Sequence, residues 1–167
     1  MSDEPGQLAG FLPYQLSVAS NAVSSLIAER YRKRFALKIP EWRVMAVLGD
    51  SGDGAGPMTQ RDLTAATVMD KVAVNRAVKV LEERGLVARV PNPGDGRSHL
   101  LELTEEGRAI HAEVMPLARE IERELLAGLV PVEEELLRRL LAQMRNRADH
   151  LAQGQNPSSQ KERPEQG

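Results

Sequence analysis

Two short helical segments joined by a tight turn, with a hairpin directly after them, constrain the fold of this chain more than any other feature. The segments 59–66 and 70–84 begin with a threonine and an aspartate, both of which can cap a helix, and the second ends before a glycine. Strand-like segments follow at 86–90 and 100–103, and the Pro-, Asn- and Gly-rich stretch between them predicts a hairpin. This order predicts a helix-turn-helix followed by a β-wing.

The second helix of such a motif can enter the major groove of DNA, which is about 12 Å wide. Its outward face would carry Lys71 and Lys79, which can neutralise phosphates. On the same face Asn75 can pair with adenine and Arg76 with guanine. A solvated helix surface would explain any one of these residues, and only their position in the motif favours DNA. The candidate DNA-binding residues of the two helices are Thr59, Gln60, Lys71, Asn75, Arg76 and Lys79.

The tip of the predicted wing adds Arg97 and Ser98 to the candidate DNA-binding residues. An arginine beside a glycine on a short ribbon can reach the narrow minor groove, where A·T-rich DNA concentrates negative potential. Phosphates would repel Asp95, so this residue is assigned to wing support, holding either the Arg97 guanidinium or the turn itself.

Apolar residues also recur at helical spacing through 12–35, 105–129 and 132–151, and Pro40 suits the first turn of a further helix. With the helix-turn-helix pair, the chain is predicted to be mainly α, with about six helices and a small β-hairpin wing. The long apolar faces exceed what the winged body needs to cover, and a two-fold dimer would bury the excess. The predicted parts are a winged helix-turn-helix domain over 39–104, a helical dimerisation region over 11–38 and 105–152, and disordered ends over 1–10 and 153–167.

Composition excludes several other classes of protein. The chain has no cysteine, which excludes disulfides and thiolate zinc sites. It has no apolar run of about 18 residues and no secretory signal pattern, so a cytoplasmic protein without a membrane partner is expected. No nucleophile, metal-ligand set or cofactor-binding loop is recognisable, so we expect no catalytic residue, metal or cofactor.

The sequence resembles the MarR family of transcription regulators in several segments. Residues 70–87 resemble the recognition helix and first wing strand of that family, and Asp95-Gly-Arg97 matches its Asp-x-Arg wing tip. The resemblance covers roughly residues 11–151. Two departures concern the recognition helix: Val72 and Ala73 replace a frequent Ser-Thr pair, and Asn75 lies where Ser or Thr is common.

The resemblance implies a homodimer that binds a pseudo-palindromic operator in double-stranded DNA, with recognition helices about 34 Å apart. It also implies a small-molecule effector, an aromatic acid or a phenolic compound, that releases a repressor from DNA. For Trp42 and Met45 a place in the core is the favoured alternative to ligand binding, and Arg43 and His111 are expected to be surface residues. The candidate effector-binding residues are Tyr14, Ser17, Asn21, Trp42, Arg43, Met45, His111 and Met115.

Sequence-specific DNA binding by a transcription regulator is therefore the function that the sequence favours. The alternative is a winged-helix module that binds another protein and does not bind DNA specifically. The exposed cations favour DNA, because a protein-binding surface would more often present an apolar patch.

Overall fold

The computed structural model describes residues 8–50 and 56–154, which contain six α-helices and a three-stranded sheet. A short 3-10 helix, Leu8–Gly10, precedes the first α-helix. The α-helices are α1 (Leu12–Phe35), α2 (Ile39–Leu48), α3 (Gln60–Thr67), α4 (Lys71–Glu83), α5 (Glu105–Leu126) and α6 (Pro131–Gly154). The strands are β1 (Met58–Thr59), β2 (Val87–Pro91) and β3 (His99–Leu103). The prediction of a mainly α fold with a small wing is confirmed.

The chain divides into two compact units, the first ending at Glu122 and the second beginning at Arg123. In the first unit, one apolar cluster contains residues from each of the helices α1 through α5 and from the sheet. Tyr31 of α1 lies against Trp42 of α2, with ring centroids 5.6 Å apart. Burial of the Tyr31 phenol raises its pKa to about 12, although Arg32 and Arg43 act in the opposite direction. The hydroxyl therefore stays protonated within the core at neutral pH.

The sheet places the wing beside the helix-turn-helix. Strands β2 and β3 are antiparallel, with Val87 opposite Leu103 at the base of the wing and Pro91 opposite His99 toward its tip. Strand β1, which the sequence did not predict, pairs with the other edge of β3. Because β1 leads directly into α3, this pairing connects the first helix of the motif to the wing.

The second unit contains α6, which has no buried residue along its whole length. Its leucines recur at steps of three and four, as in an amphipathic helix. The apolar face remains between 38% and 48% exposed at Leu136, Leu137, Leu140, Leu141, Met144 and Leu151.

The chain ends differ from the prediction where they are described. Residues 8–10 form the 3-10 helix and residues 153–154 belong to α6, so the predicted disorder is wrong for these five positions. The remainder of both predicted disordered ends, 1–7 and 155–167, lies outside the described residues. None of the helices described combines the length and the continuous apolar surface that spanning a bilayer requires.

Candidate nucleic-acid interface

The two helices of the motif are fixed by caps that the sequence predicts. The Thr59 hydroxyl accepts from the backbone N–H of Asp62 at 3.2 Å and donates to its carboxylate at 2.6 Å. At the start of α4, the Asp70 carboxylate accepts from the backbone N–H of Ala73 at 2.8 Å. Between the helices, Val68 has a left-handed backbone with φ of 53°. Such a conformation is uncommon for a β-branched residue, so the turn carries local strain.

Helix α4 has one buried and one exposed face, as predicted. Val74, Ala77, Val78 and Leu81 pack in the core, since each is no more than 3% exposed. The four candidate residues Lys71, Asn75, Arg76 and Lys79 are all exposed. The Lys79 ammonium lies 3.9 Å from the Glu83 carboxylate, and both side chains are well exposed, so solvent screens this pair strongly. The cations therefore remain available to a polyanion.

Gln60 and Asn75 form a contact between the two helices of the motif. The side-chain N–H of Gln60 donates to the side-chain oxygen of Asn75. Gln60 is half-buried and Asn75 is exposed, so the pair lies at the edge of the outward face. The sequence placed both residues among the DNA-binding candidates but gave no sign that they bind each other.

The wing tip is organised by hydrogen bonds within its own loop. The Asp95 carboxylate accepts from the backbone N–H of Arg97 at 3.0 Å, which corresponds to the second of the two roles expected for Asp95. The Ser98 hydroxyl accepts from the Asn92 amide at 2.8 Å and donates to the Asp95 carbonyl at 3.3 Å. Ser98 is therefore used inside the wing, whereas Arg97 is exposed at its tip. The turn that contains Asn92 was predicted from its Asn, Pro and Gly residues, but the contact between the Asn92 side chain and Ser98 was not.

The wing is also tied to α4 by a residue that the sequence analysis missed. Arg89 of β2 donates to both carboxylate oxygens of Glu82, at 2.7 and 3.2 Å. A two-pronged arginine–carboxylate pair fixes orientation better than a single contact does. It connects the strand that leads to the wing tip with the helix expected to enter the groove.

A second missed residue, Arg84, links the end of α4 to the end of α1. Its guanidinium donates to the carbonyls of Phe35 and Ala36, at 2.7 and 3.1 Å. The last carbonyls of a helix have no partner within the helix, and a cation is favourable there. No local pattern around Arg84 indicates this contact, because its partners are almost fifty residues away.

The structure distributes the predicted effector-binding residues over three environments. Tyr14, Ser17 and Asn21 are exposed on α1. Trp42 and Met45 are core residues, 8% and 0% exposed, as the favoured alternative proposed. Met115 is partly buried against the same core, and the half-buried Arg43 donates to the Ser24 hydroxyl at 3.2 Å.

The prediction that His111 is an exposed helix residue is wrong. Its ring stacks on Trp42, with centroids 5.6 Å apart and planes 25° apart, and it leaves no space for a side chain at position 49. Burial lowers the pKa of His111, opposed by Asp50 and assisted by Arg119. Helix periodicity in α5 cannot predict this stacking contact, because its partner Trp42 lies on α2, far away in the sequence.

His111 also lines a cavity of about 480 Å³ within the first unit. Arg108 contributes a cation to the cavity and Asp50 and Glu102 contribute carboxylates, while apolar surface comes from Leu48, Pro57 and Leu103. Of the eight predicted effector-binding residues, His111 is the one found in the lining of this cavity. A cavity of this size falls in the range of small-molecule sites.

Comparisons with known proteins agree with this geometry. The MarR family model matches residues 37–98. NicR, an HTH-type transcriptional repressor from Pseudomonas putida, is 36% identical over 89 residues, which cover 53% of this chain and 56% of NicR. The chain thus spans little more than half the length of that relative.

Two solved structures extend the similarity over most of the chain. A MarR family transcriptional regulator from Silicibacter pomeroyi is 31% identical, with 83% of this chain and 98% of that one covered and a TM-score of 0.68. BpsR of Bordetella bronchiseptica, described in a mechanism for regulation of DNA binding by 6-hydroxynicotinic acid, is 26% identical, with coverage of 85% and 98% and a TM-score of 0.72.

The fold and the exposed face of α4 define a winged helix-turn-helix protein. The chain belongs to the MarR family of transcription regulators, a family of regulators and not of enzymes.

Proposed function

We propose that this protein is a sequence-specific DNA-binding repressor. The observation that carries the proposal is the outward face of α4, where three cations and Asn75 are exposed while the opposite face is fixed in the core. Exposed Arg97 at the tip of an ordered wing supplies a second contact region, suited to the minor groove. NicR is named a repressor, which supports the direction of regulation proposed here.

Fluorescence anisotropy with the full chain tests this proposal. A random duplex library would be selected for bound sequences, and the enriched duplex compared with a scrambled one at two salt concentrations. We expect preference for the enriched duplex and affinity that falls with salt, because phosphate contacts release counterions. Arg97→Ala should weaken binding about tenfold or more, the loss of one good groove contact.

Arg139→Ala is a matched control, since it removes one positive charge from an exposed position on α6 outside its apolar face. It should change affinity much less than Arg97→Ala does. Equal losses would mean that only net charge matters and would contradict a specific role for the wing. Failure to enrich any duplex would contradict the proposal and favour a protein-binding role for the winged unit.

We further propose that the protein acts as a homodimer on a pseudo-palindromic site. The support is the exposed apolar face of α6, with Leu136, Leu140 and Met144 at steps of four. Such a face is unusual for a monomer in water, and a second copy can cover it. Sedimentation analysis tests this with Leu140→Asp and with Arg139→Ala, whose exposed side chain lies on the other side of α6: the first variant should be monomeric and the second should remain dimeric. A monomeric wild type would overturn the dimer.

The effector proposed for the protein is a small aromatic acid. The support comes from BpsR, whose DNA binding is described as regulated by 6-hydroxynicotinic acid, and from the cavity beside His111 that includes Arg108. Titration of the protein–DNA complex with 6-hydroxynicotinate and related acids should lower the anisotropy. Arg108→Gln should weaken that response while DNA affinity without the acid is retained. If no aromatic acid shifts DNA affinity or melting temperature, aromatic sensing is contradicted.

A further inference from the structure

Val72 places an apolar side chain on the outward face of the helix expected to enter the groove. It is the second residue of α4 and is 56% exposed. It lies three, four and seven residues before Asn75, Arg76 and Lys79, so these four residues share one face of the helix. Val72 is the one apolar residue among the four. An apolar group therefore lies beside the polar groups proposed to contact DNA.

The packing of the fold does not account for a valine at this position. Among the residues described, neither the apolar core nor the side chains packed against it include Val72. Valine is also a weaker helix former than alanine, since its branched side chain loses freedom at χ1. The start of α4 is nevertheless fixed, because the Asp70 carboxylate accepts from the backbone N–H of Ala73 at 2.8 Å. Val72 is therefore held at a base-contacting position, since the first residues of the second helix of such a motif reach the base edges.

A valine side chain restricts which base can lie opposite it, because it carries neither a donor nor an acceptor. The major-groove edges of the bases consist mainly of hydrogen-bonding groups, and the one methyl group among them is at C5 of thymine. A polar edge that valine covers loses its water without gaining a partner, which is unfavourable. The thymine methyl group loses no hydrogen bond and gains an apolar contact. Of the four bases, thymine therefore suits this position best.

We propose that Val72 is a specificity-determining residue that selects thymine by contact with its C5 methyl group. The inference rests on the DNA-binding function proposed above and names one base that the protein selects. The branched side chain has one strongly preferred rotamer in a helix, so its methyl groups face the groove in a fixed direction. Serine, which is frequent here in the family, would offer a hydroxyl group that can bind the polar edge of any base.

Replacing thymine by uracil removes the methyl group and leaves base pairing intact. In the duplex selected above, each thymine of one half-site is replaced in turn by uracil. Fluorescence anisotropy then gives the dissociation constants for wild type and for Val72→Ser. Wild type should bind about fourfold more weakly when the thymine opposite Val72 is replaced, the loss expected for one buried methyl group. Val72→Ser should bind both duplexes equally, and its circular dichroism spectrum should match wild type, because position 72 is exposed.

A second comparison adds the methyl group to a different base. At the position found with uracil, the thymine–adenine pair is replaced by cytosine–guanine, with or without a methyl group at C5 of the cytosine. Wild type should bind the methylated duplex about fourfold more tightly, since the added group restores the apolar contact. Val72→Ser should not distinguish the two duplexes. Any effect of the methyl group on DNA shape alone would be the same for the variant and for wild type.

Lys79→Ala is the control for weakened binding as such, since Lys79 lies on the same face two helical turns further along α4. It should weaken binding to all duplexes by one factor and leave the thymine-to-uracil ratio as in wild type. If uracil weakens wild type at no position, or weakens Val72→Ser equally, this inference alone is overturned. If wild type selects no sequence at all, the proposed function fails, and this inference fails with it.

Discussion

Replacing Gly107 with alanine should destabilise the protein, although alanine is normally the better helix former. Gly107 lies in the first turn of α5, where the helix passes the start of β2. A Cβ atom at this position would lie 2.1 Å from the carbonyl oxygen of Leu86 and 3.0 Å from its carbonyl carbon. Both atoms belong to the backbone, so no side-chain rotation can relieve the overlap.

The magnitude follows from the size of this overlap. A carbon and a carbonyl oxygen approach to about 3.3 Å, so α5 and the strand must separate by about 1 Å. Overpacking of this kind costs up to about 3 kcal/mol. The same carbonyl accepts from the backbone N–H of Thr104 at 3.1 Å, and loss of that bond adds about 1 kcal/mol. The higher helix propensity of alanine offsets about 1 kcal/mol of this cost, so the free energy of unfolding should fall by about 3 kcal/mol.

Urea denaturation followed by circular dichroism measures this loss, and thermal unfolding should show a melting temperature lower by about 10 °C. Gly128→Ala is the matched control, because a Cβ there meets nothing within 4 Å, and its stability should match wild type. A Gly107→Ala protein as stable as wild type would refute the close approach between α5 and the wing base.

Three further predictions concern the turn, the helix ends and the buried histidine. Val68→Gly should raise the free energy of unfolding by up to about 1 kcal/mol, since glycine relieves the positive φ and the lost side chain is 87% exposed; lower stability in urea denaturation would contradict this. Arg84→Met should lower that free energy by about 2 kcal/mol, because two carbonyls at the end of α1 lose a charged donor. An unchanged urea midpoint would show that these two hydrogen bonds do not stabilise the fold. Burial lowers the pKa of His111, so the unfolded chain binds a proton at higher pH than the folded chain does. The free energy of unfolding should therefore fall as the pH drops from 7 through 6.5, the pKa of this histidine in the unfolded chain. His111→Gln should flatten this pH dependence, whereas His150→Gln, at an exposed position, should retain it. The free energy of unfolding is measured by urea titration at each pH. If it changes with pH equally in the two variants, His111 is not the group responsible.

Local sequence determined the elements and much of the outward face of the site. Thr59 and Asp70 cap their helices because each reaches a backbone N–H only three residues away. Gly85 ends α4 with a φ of +70°, and Asp95 supports the wing turn through a residue two positions on. These interactions are short in sequence, so the pattern of residue types contains them. Exposure of the α4 cations follows in the same way from helical periodicity.

Tertiary structure decided the features that depend on distant partners. His111 has the spacing of a surface residue, and only the placement of α2 puts Trp42 over its ring. Arg84 resembles any helix-terminal cation until α1 brings its last carbonyls within reach. The oxygen of Asn75 is assigned to Gln60 only when α3 and α4 pack together. Sequence fixes which groups a residue carries, whereas burial and hydrogen-bond partners depend on which backbone segment the fold brings beside it, and no local periodicity records that.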